Sequence, residues 1–231
     1  MRTVEQVIES LSSKFDGAIL GTSTSRREVY VRVAPERLVD VCGCLVDDFG
    51  ARFQVSVGTD KMPKDGSLEV SHIFALDEDG LYVTTQVRVD PGNPQIASIM
   101  SVVPAANWAE REFRDVVGVH PEGHPDPRRL VLADDWPEGV HPLRKDFKYD
   151  YKPPTSTGSR PPLKEPEGSA TVIPIGPFYP VLEEPAYLRL FVEGEDVVGC
   201  DYRGFYNHRG VEKLGDTVLT FNQIPFIAER I

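Results

Sequence analysis

Three groups of side chains in this 231-residue chain are of types that do chemistry. Cys42-Gly43-Cys44 offers two thiols. His120, His124 and His141 stand near Asp126, Asp134 and Asp135. A dense run of charge, Glu110-Arg111-Glu112 with Arg114-Asp115, is followed by Arg128-Arg129, Asp134-Asp135 and Arg144-Lys145-Asp146. Thiols two residues apart on a helix are rotated by about 200° from one another, so they point apart and cannot share one ion. Cys42 and Cys44 therefore read as structural, and Cys200, alone in its segment, reads the same way. An i, i+4 histidine pair holds zinc when it sits on a helix. Here Pro121, Gly123, Pro125 and Pro127 exclude a helix, which leaves an ordered surface loop. The charge run has two readings. One is a solvated face, whose exposed ion pairs contribute little each. The other is a docking surface in which charge pairs set register and partner choice. No G-x-G-x-x-G opens a helix, and P-loop, G-x-S-x-G, H-E-x-x-H and C-x-x-C patterns are all missing.

Composition narrows the classes further. Hydrophobic residues make up 40% and charged residues 26%, the balance of a folded globular chain. No apolar run approaches the ~18–20 residues of a membrane span. The amphipathic N-terminus carries Glu5 and Glu9 and lacks the apolar stretch of a signal peptide. A formal charge of -11 argues against attraction to nucleic acid or an anionic membrane surface. An odd count of three cysteines argues for a reducing cytoplasm. Of the 20 prolines, 14 fall between Pro121 and Pro185.

The elements that must position these groups follow from periodicity. Val4, Val7, Ile8 and Leu11 repeat at helical spacing, and Thr3 with Gln6 predicts a capping box. Val29, Val31 and Val33 alternate as a strand. A helix is expected from Glu36 to Phe49, closed by Gly50, and a strand through Phe53, Val55 and Val57. Residues 68–76 and 81–89 alternate on either side of Asp77-Glu78-Asp79-Gly80, which reads as a hairpin. A short helix is expected to about Met100. Another should start on Asn107 as its N-cap and end at Gly118, with Trp108, Phe113, Val116 and Val117 inward. The fold class expected is α+β, a mostly antiparallel sheet with helices on one face, over residues 1–150. Residues 151–170 read as a stiff Pro-rich linker. Residues 171–231 read as a hairpin and helix start of a second, incomplete domain.

Residues 110–132, EREFRDVVGVHPEGHPDPRRLVL, closely resemble the signature of the thirty-kilodalton subunit of respiratory complex I, and LADDWPEGVHPLRKD continues it. Residues 173–195 and DYRGFYNHRGVEKL (201–214) resemble the start of the forty-nine-kilodalton subunit. They also resemble the large subunits of membrane-bound, energy-converting [NiFe] hydrogenases. The order of the two parts is similar to the fused large subunits of formate hydrogenlyase and hydrogenase-4 complexes.

The resemblance implies an oxidoreductase component that is not catalytic alone. Glu110, Arg111, Glu112, Asp115, Arg128 and Arg129 would belong to a docking module. Tyr179 stands where the quinone branch has a loop histidine. Glu184 matches a hydrogenase glutamate that moves protons. His208, Arg209 and Glu212 match H-R-G-x-E-K, a loop beside the iron–sulfur cluster of the adjacent small subunit. Ala228-Glu229-Arg230-Ile231 matches the residues that precede the C-G-I-C ligands in that branch, so no metal site is expected within the chain. A Ni–Fe centre and a [4Fe-4S] cluster are expected in the complete complex. The implied partners are the iron–sulfur small subunit, other soluble-arm subunits and, indirectly, the membrane arm, with no nucleic acid and no direct membrane insertion. The implied location is the cytoplasmic face of the cell membrane. The alternatives are a thirty-kilodalton-type subunit of an NADH:quinone oxidoreductase and a non-catalytic assembly module.

Overall fold

The computed structural model describes residues 1–154, 163–178, 180 and 184–229. They form two compact units. The first comprises Met1–Pro127 with Arg144–Asp146, and the second Arg128–Leu143 with Phe147–Ile231. The division expected at residue 150 therefore moves, because residues 128–143 group with the C-terminal unit. Among the described residues, no helix is long and apolar enough to cross a membrane.

In the first unit, α1 (Val4–Lys14) begins as its local sequence dictates. The Thr3 side chain accepts from the Gln6 backbone N–H, and the Gln6 side chain accepts from the Thr3 N–H, which closes a capping box. There follow β1 (Ile19–Ser25), β2 (Glu28–Val33), α2 (Leu38–Asp47), β3 (Arg52–Asp60), the single turn α3 (Met62–Asp65), β4 (Leu68–Leu76) and β5 (Leu81–Val89). Then come β6 (Gln95–Ala97), α4 (Asn107–Val117) and β7 (His120–Glu122). Five strands form one sheet in the order β1-β2-β5-β4-β3. Only β2 and β5 run parallel in it; the other neighbours are antiparallel.

The register aligns inward-facing residues across the sheet. Thr85, His72 and Ser56 form one row, and Val87, Val70 and Gly58 the next. Helices pack on this face. Cys42 Sγ of α2 lies 3.9 Å from Thr85 Oγ1. At Gly58, α4 comes so close that an added Cβ would sit 2.8 Å from Phe113 Cβ. Val7, Leu11, Leu38, Leu45, Phe74 and Phe113 are buried in this core.

Several local expectations are corrected. Residues 95–97 form a strand, not a helix, because they pair in parallel with β7, a segment 25 residues downstream (Gln95 with His120) that local periodicity cannot register. Asn107 is the first helical residue and Ala106 the N-cap, since a 3-10 turn over Pro104–Ala106 runs into the helix. Trp108 is 49% exposed, and the inner side of α4 holds Glu110, Arg111 and Asp115 beside Phe113, Val116 and Val117. A bulge between Phe53 and Val55 shifts the phase of β3, so Val55 and Val57 face outward while Ser56 and Asp60 are buried. Strand β1, ILGTSTS, has no alternating apolar pattern, so periodicity gives no sign of it.

The second unit is built on the antiparallel sheet β10-β9-β8, from β8 (Thr171–Ile175), β9 (Tyr187–Glu193) and β10 (Asp196–Arg203). Two short helices follow, α5 (Val211–Thr217) and α6 (Ile224–Ala228). In β9 Leu188 and Val192 are only half-buried, whereas Arg189 and Phe191 are buried. Trp136, Phe147 and Tyr151 form an aromatic cluster, with Lys213 Nζ over the Phe147 ring. Of the expected linker, residues 155–162 lie outside the described residues. Its later part is bonded in place: Lys164 N–H donates to Asp201, and Lys164 C=O accepts from Arg189.

Candidate functional site

Strand β10 ends at Arg203 and delivers the loop that carries the candidate site. Phe205 takes a left-handed conformation at φ 63, rare for an aromatic residue, and its carbonyl accepts from the His208 N–H. Gly210, at φ 66, turns the chain into α5 as that helix's N-cap. Across that turn His208 Nε2 comes to 3.5 Å from Glu212 Oε2. The hydrogen bond from His208 holds the Glu212 carboxyl below its ordinary pKa, against partial desolvation.

Glu184, Tyr202, Phe205, His208, Arg209 and Glu212 line one cleft of about 370 Å³. Glu184 is exposed at its edge. Phe205 and His208 also line a second cleft of about 460 Å³, with Leu132, Asp134, Asp135, Trp136 and Tyr206. All four site residues read from the second resemblance thus share one cavity. Tyr179 lies outside the described residues. Carboxylate and imidazole groups that line one cleft are of the types that relay protons, and the cation of Arg209 adds a fixed positive charge.

The charged cluster assigned to docking has a different place. Glu110 is fully buried. Its Oε2 accepts from Ser98 Oγ at 2.5 Å and its Oε1 from the Ile99 N–H at 2.8 Å, while desolvation raises its pKa. Arg111 is buried and lies 3.3 Å from Asp126, and Asp115 is buried too. These three cannot present a surface, because their neighbours in the first unit already cover them. Glu112 is exposed.

In the second unit, Arg128 Nη1 donates to Asp201 at 2.9 Å, and Arg129 Nη2 donates to Trp136 C=O and to Glu138. Both arginines are thus engaged within their unit. Arg203 completes the set, donating to Arg129 C=O at 2.8 Å, Leu132 C=O at 3.4 Å and Asp134 at 2.7 Å. Sequence reasoning missed the bonds of Asp201 and Arg203 to Arg128 and Asp134. The available signal was the D-Y-R spacing of 201–203, which puts opposite charges on one face of a strand. The histidine loop is ordered as expected: His124 Nε2 faces Asn107 C=O at 3.1 Å, and its Nδ1 accepts from the Asp126 N–H.

Whether these residues fit the metals of the implied complex is a matter of donor sets. Among the described residues, no group of three His, Cys, Asp or Glu could hold a metal ion. Cys42 is buried, with its thiol pushed up to about 12 by desolvation, so it is a poor source of thiolate. Cys44 lies two residues on, and Cys200 belongs to the other unit. The described residues do not fit a Ni–Fe centre or an iron–sulfur cluster.

Comparison with known proteins bears on both units. The chain is 38% identical to hydrogenase-4 component G of Escherichia coli (strain K12) and 36% identical to formate hydrogenlyase subunit 5 of the same strain, each over 98% of its length. It spans 42% and 41% of those two proteins. It is 37% identical to an NADH-quinone oxidoreductase subunit of Roseiflexus sp. (strain RS-1), over 61% of this chain and 81% of that one. A chain of the membrane-bound sulfane sulfur reductase, an archaeal respiratory membrane complex, shares the fold at a TM-score of 0.53 and 23% identity, covering 63% of this chain and 85% of that one. Residues 31–153 match the family described as respiratory-chain NADH dehydrogenase, 30 Kd subunit. The chain belongs to the respiratory-chain NADH dehydrogenase 30 Kd subunit family.

Proposed function

We propose that this chain is part of a subunit of a membrane-bound, complex I-related nickel–iron hydrogenase of the formate hydrogenlyase type. The observation that carries this reading is the extent of the similarity. The two hydrogenase-complex relatives match over 98% of the chain and so through the Glu184–His208–Glu212 cleft, whereas the match to the Roseiflexus NADH-quinone oxidoreductase protein takes in 61%.

In this reading the second unit turns the cleft towards an iron–sulfur small subunit. Arg209 supplies positive charge beside a partner's cluster, and a nearby cation favours the reduced, more negative state. Glu184 carries protons at the cleft edge, a role a carboxylate can fill. Glu112, exposed on α4, remains the candidate for docking from the first unit. The Ni–Fe centre and the [4Fe-4S] cluster belong to other parts of the complex. The assembly sits peripherally on the cytoplasmic face of the membrane through its partners.

A quinone-linked complex is the second reading. It is favoured by a 30% identity to an NADH-quinone oxidoreductase protein of Methylococcus capsulatus over 72% of this chain. The deciding experiment tags the protein in its native cell, purifies it gently and assays the eluate. Hydrogen-dependent viologen reduction without NADH-dependent quinone reduction is the expected result. The reverse pattern establishes the quinone reading, and neither activity with intact partners points to an assembly module.

A further inference from the structure

Residues 128–143 match the 30 Kd family but belong structurally to the C-terminal unit. The chain leaves the first unit at Pro127 and rejoins it at Arg144. In between, it bonds to the β9–β10 hairpin. Asp201 and Arg203, two residues apart on β10, lie on one strand face. Asp201 is 5% exposed and takes Arg128; Arg203 takes Asp134 and the carbonyls of Arg129 and Leu132. Between the two charged contacts, Leu130, Val131 and Leu132 are buried. Charge order is reversed on the two sides: base then acid on the strap, acid then base on the strand. A hairpin carrying the opposite order, or shifted by one residue, would bring like charges together or turn both side chains away. The arrangement therefore selects one partner in one register.

We propose that residues 128–143 are a docking strap, and that its partner is a β-hairpin with Asp-x-Arg on the return strand, held without need of a covalent link. In this chain the hairpin is its own; where the two regions are separate polypeptides, the same strap would hold the other chain's hairpin. The strap's arginines then serve assembly from inside an interface, not from an exposed face. The proposal does not depend on hydrogenase or quinone chemistry.

The test uses the full chain with a protease site introduced within residues 155–162. After purification and cleavage, the two pieces should co-elute on gel filtration. Removing one member of a buried, hydrogen-bonded charge pair weakens association by about 30-fold or more. Arg203→Ala and Asp134→Ala, a half-buried pair, should each weaken it by about tenfold, and the double variant should lose clearly less than the product of the two. Glu138→Ala, on a side chain that is 94% exposed, should change affinity by less than about twofold. The thermal transition of the first unit should stay the same in every variant, which separates lost docking from lost folding. Pieces that part on cleavage of the unsubstituted chain, or single effects that multiply fully in the double variant, would overturn the proposal.

Discussion

At the scale of single residues, the most consequential groups are buried polar ones. His72 stands in the middle of β4, fully buried, with Nδ1 2.7 Å from Ser56 Oγ. Desolvation lowers its pKa to about 3. In the unfolded chain the same ring takes a proton near pH 6.5. Above that pH both states are neutral, and the contribution of His72 to stability is fully present. As pH falls from 6.5 towards 3, only the unfolded chain gains the proton, and stability is lost by up to about 1.4 kcal/mol per pH unit. Urea midpoints at pH 7, 6 and 5 should therefore decline, and His72→Leu should remove about one proton's worth of that slope; an unaltered slope would exonerate His72. Glu110 makes the complementary case. Glu110→Ala leaves the Ile99 N–H and the Ser98 hydroxyl without their acceptor, at about 1–3 kcal/mol for each buried group. A large drop in the thermal midpoint is expected. Glu184→Gln, on an exposed side chain, should leave stability within about 0.5 kcal/mol while slowing proton-coupled turnover of the intact complex. An unaffected rate removes Glu184 from the proton route.

At the scale of elements, legibility tracked how local the determinants are. The Thr3–Gln6 capping box and the β4–β5 hairpin depend on neighbours within a few residues, and both stand as the periodicity predicts. Strand β6 depends on β7, so a segment after Pro94 that looks helical alone is extended in the fold. Alternation marks β3 as a strand but misjudges its facing. In β3 a bulge exchanges the two sides, and in β9 the buried line is Arg189 and Phe191, whose partners come from Lys164, Asp201 and Gly199. The candidate cleft was half legible. His208, Glu212 and Glu184 were read from the resemblance, but periodicity cannot show that Glu184, more than twenty residues upstream, meets the other two in one cleft. The tightest element contact gives a sharp test. Gly58 lets α4 lie against β3, and a methyl there would meet the Cβ of Phe113, which cannot rotate away. Gly58→Ala should destabilise by roughly 1–3 kcal/mol through overpacking. Gly21→Ala serves as the contrast, since it has open space around it and no positive φ. Equal sensitivity at both sites would show that helix–strand contact is not what Gly58 serves.

At the scale of the whole molecule, apolar burial is divided unevenly between the two units. Nearly all of the buried aliphatic and aromatic residues belong to the first unit, including Val7, Leu11, Leu38, Leu45, Leu68, Phe74 and Phe113. Among the described residues of the second, the buried apolar side chains are chiefly Leu130, Val131, Leu132 and Phe191, three of them on the strap. Its structure leans on charged bonds through Arg189, Asp201 and Arg203. Hydrophobic burial contributes about 25 cal/mol per Å², whereas ion pairs open to water add little each, so a unit with few buried apolar groups has a small margin over the entropy of ordering its chain. The two units should therefore unfold separately, the C-terminal one first. The two tryptophans divide between them, Trp108 in the first unit and Trp136 in the second, where it stacks near Phe147 and Tyr151. Heating with fluorescence detection should give an early change from Trp136 and a later one from Trp108. Trp136→Phe should erase the early fluorescence change while calorimetry still records two heat-absorption peaks. A single peak, with both tryptophans changing together, would mean that the two units form one cooperative fold.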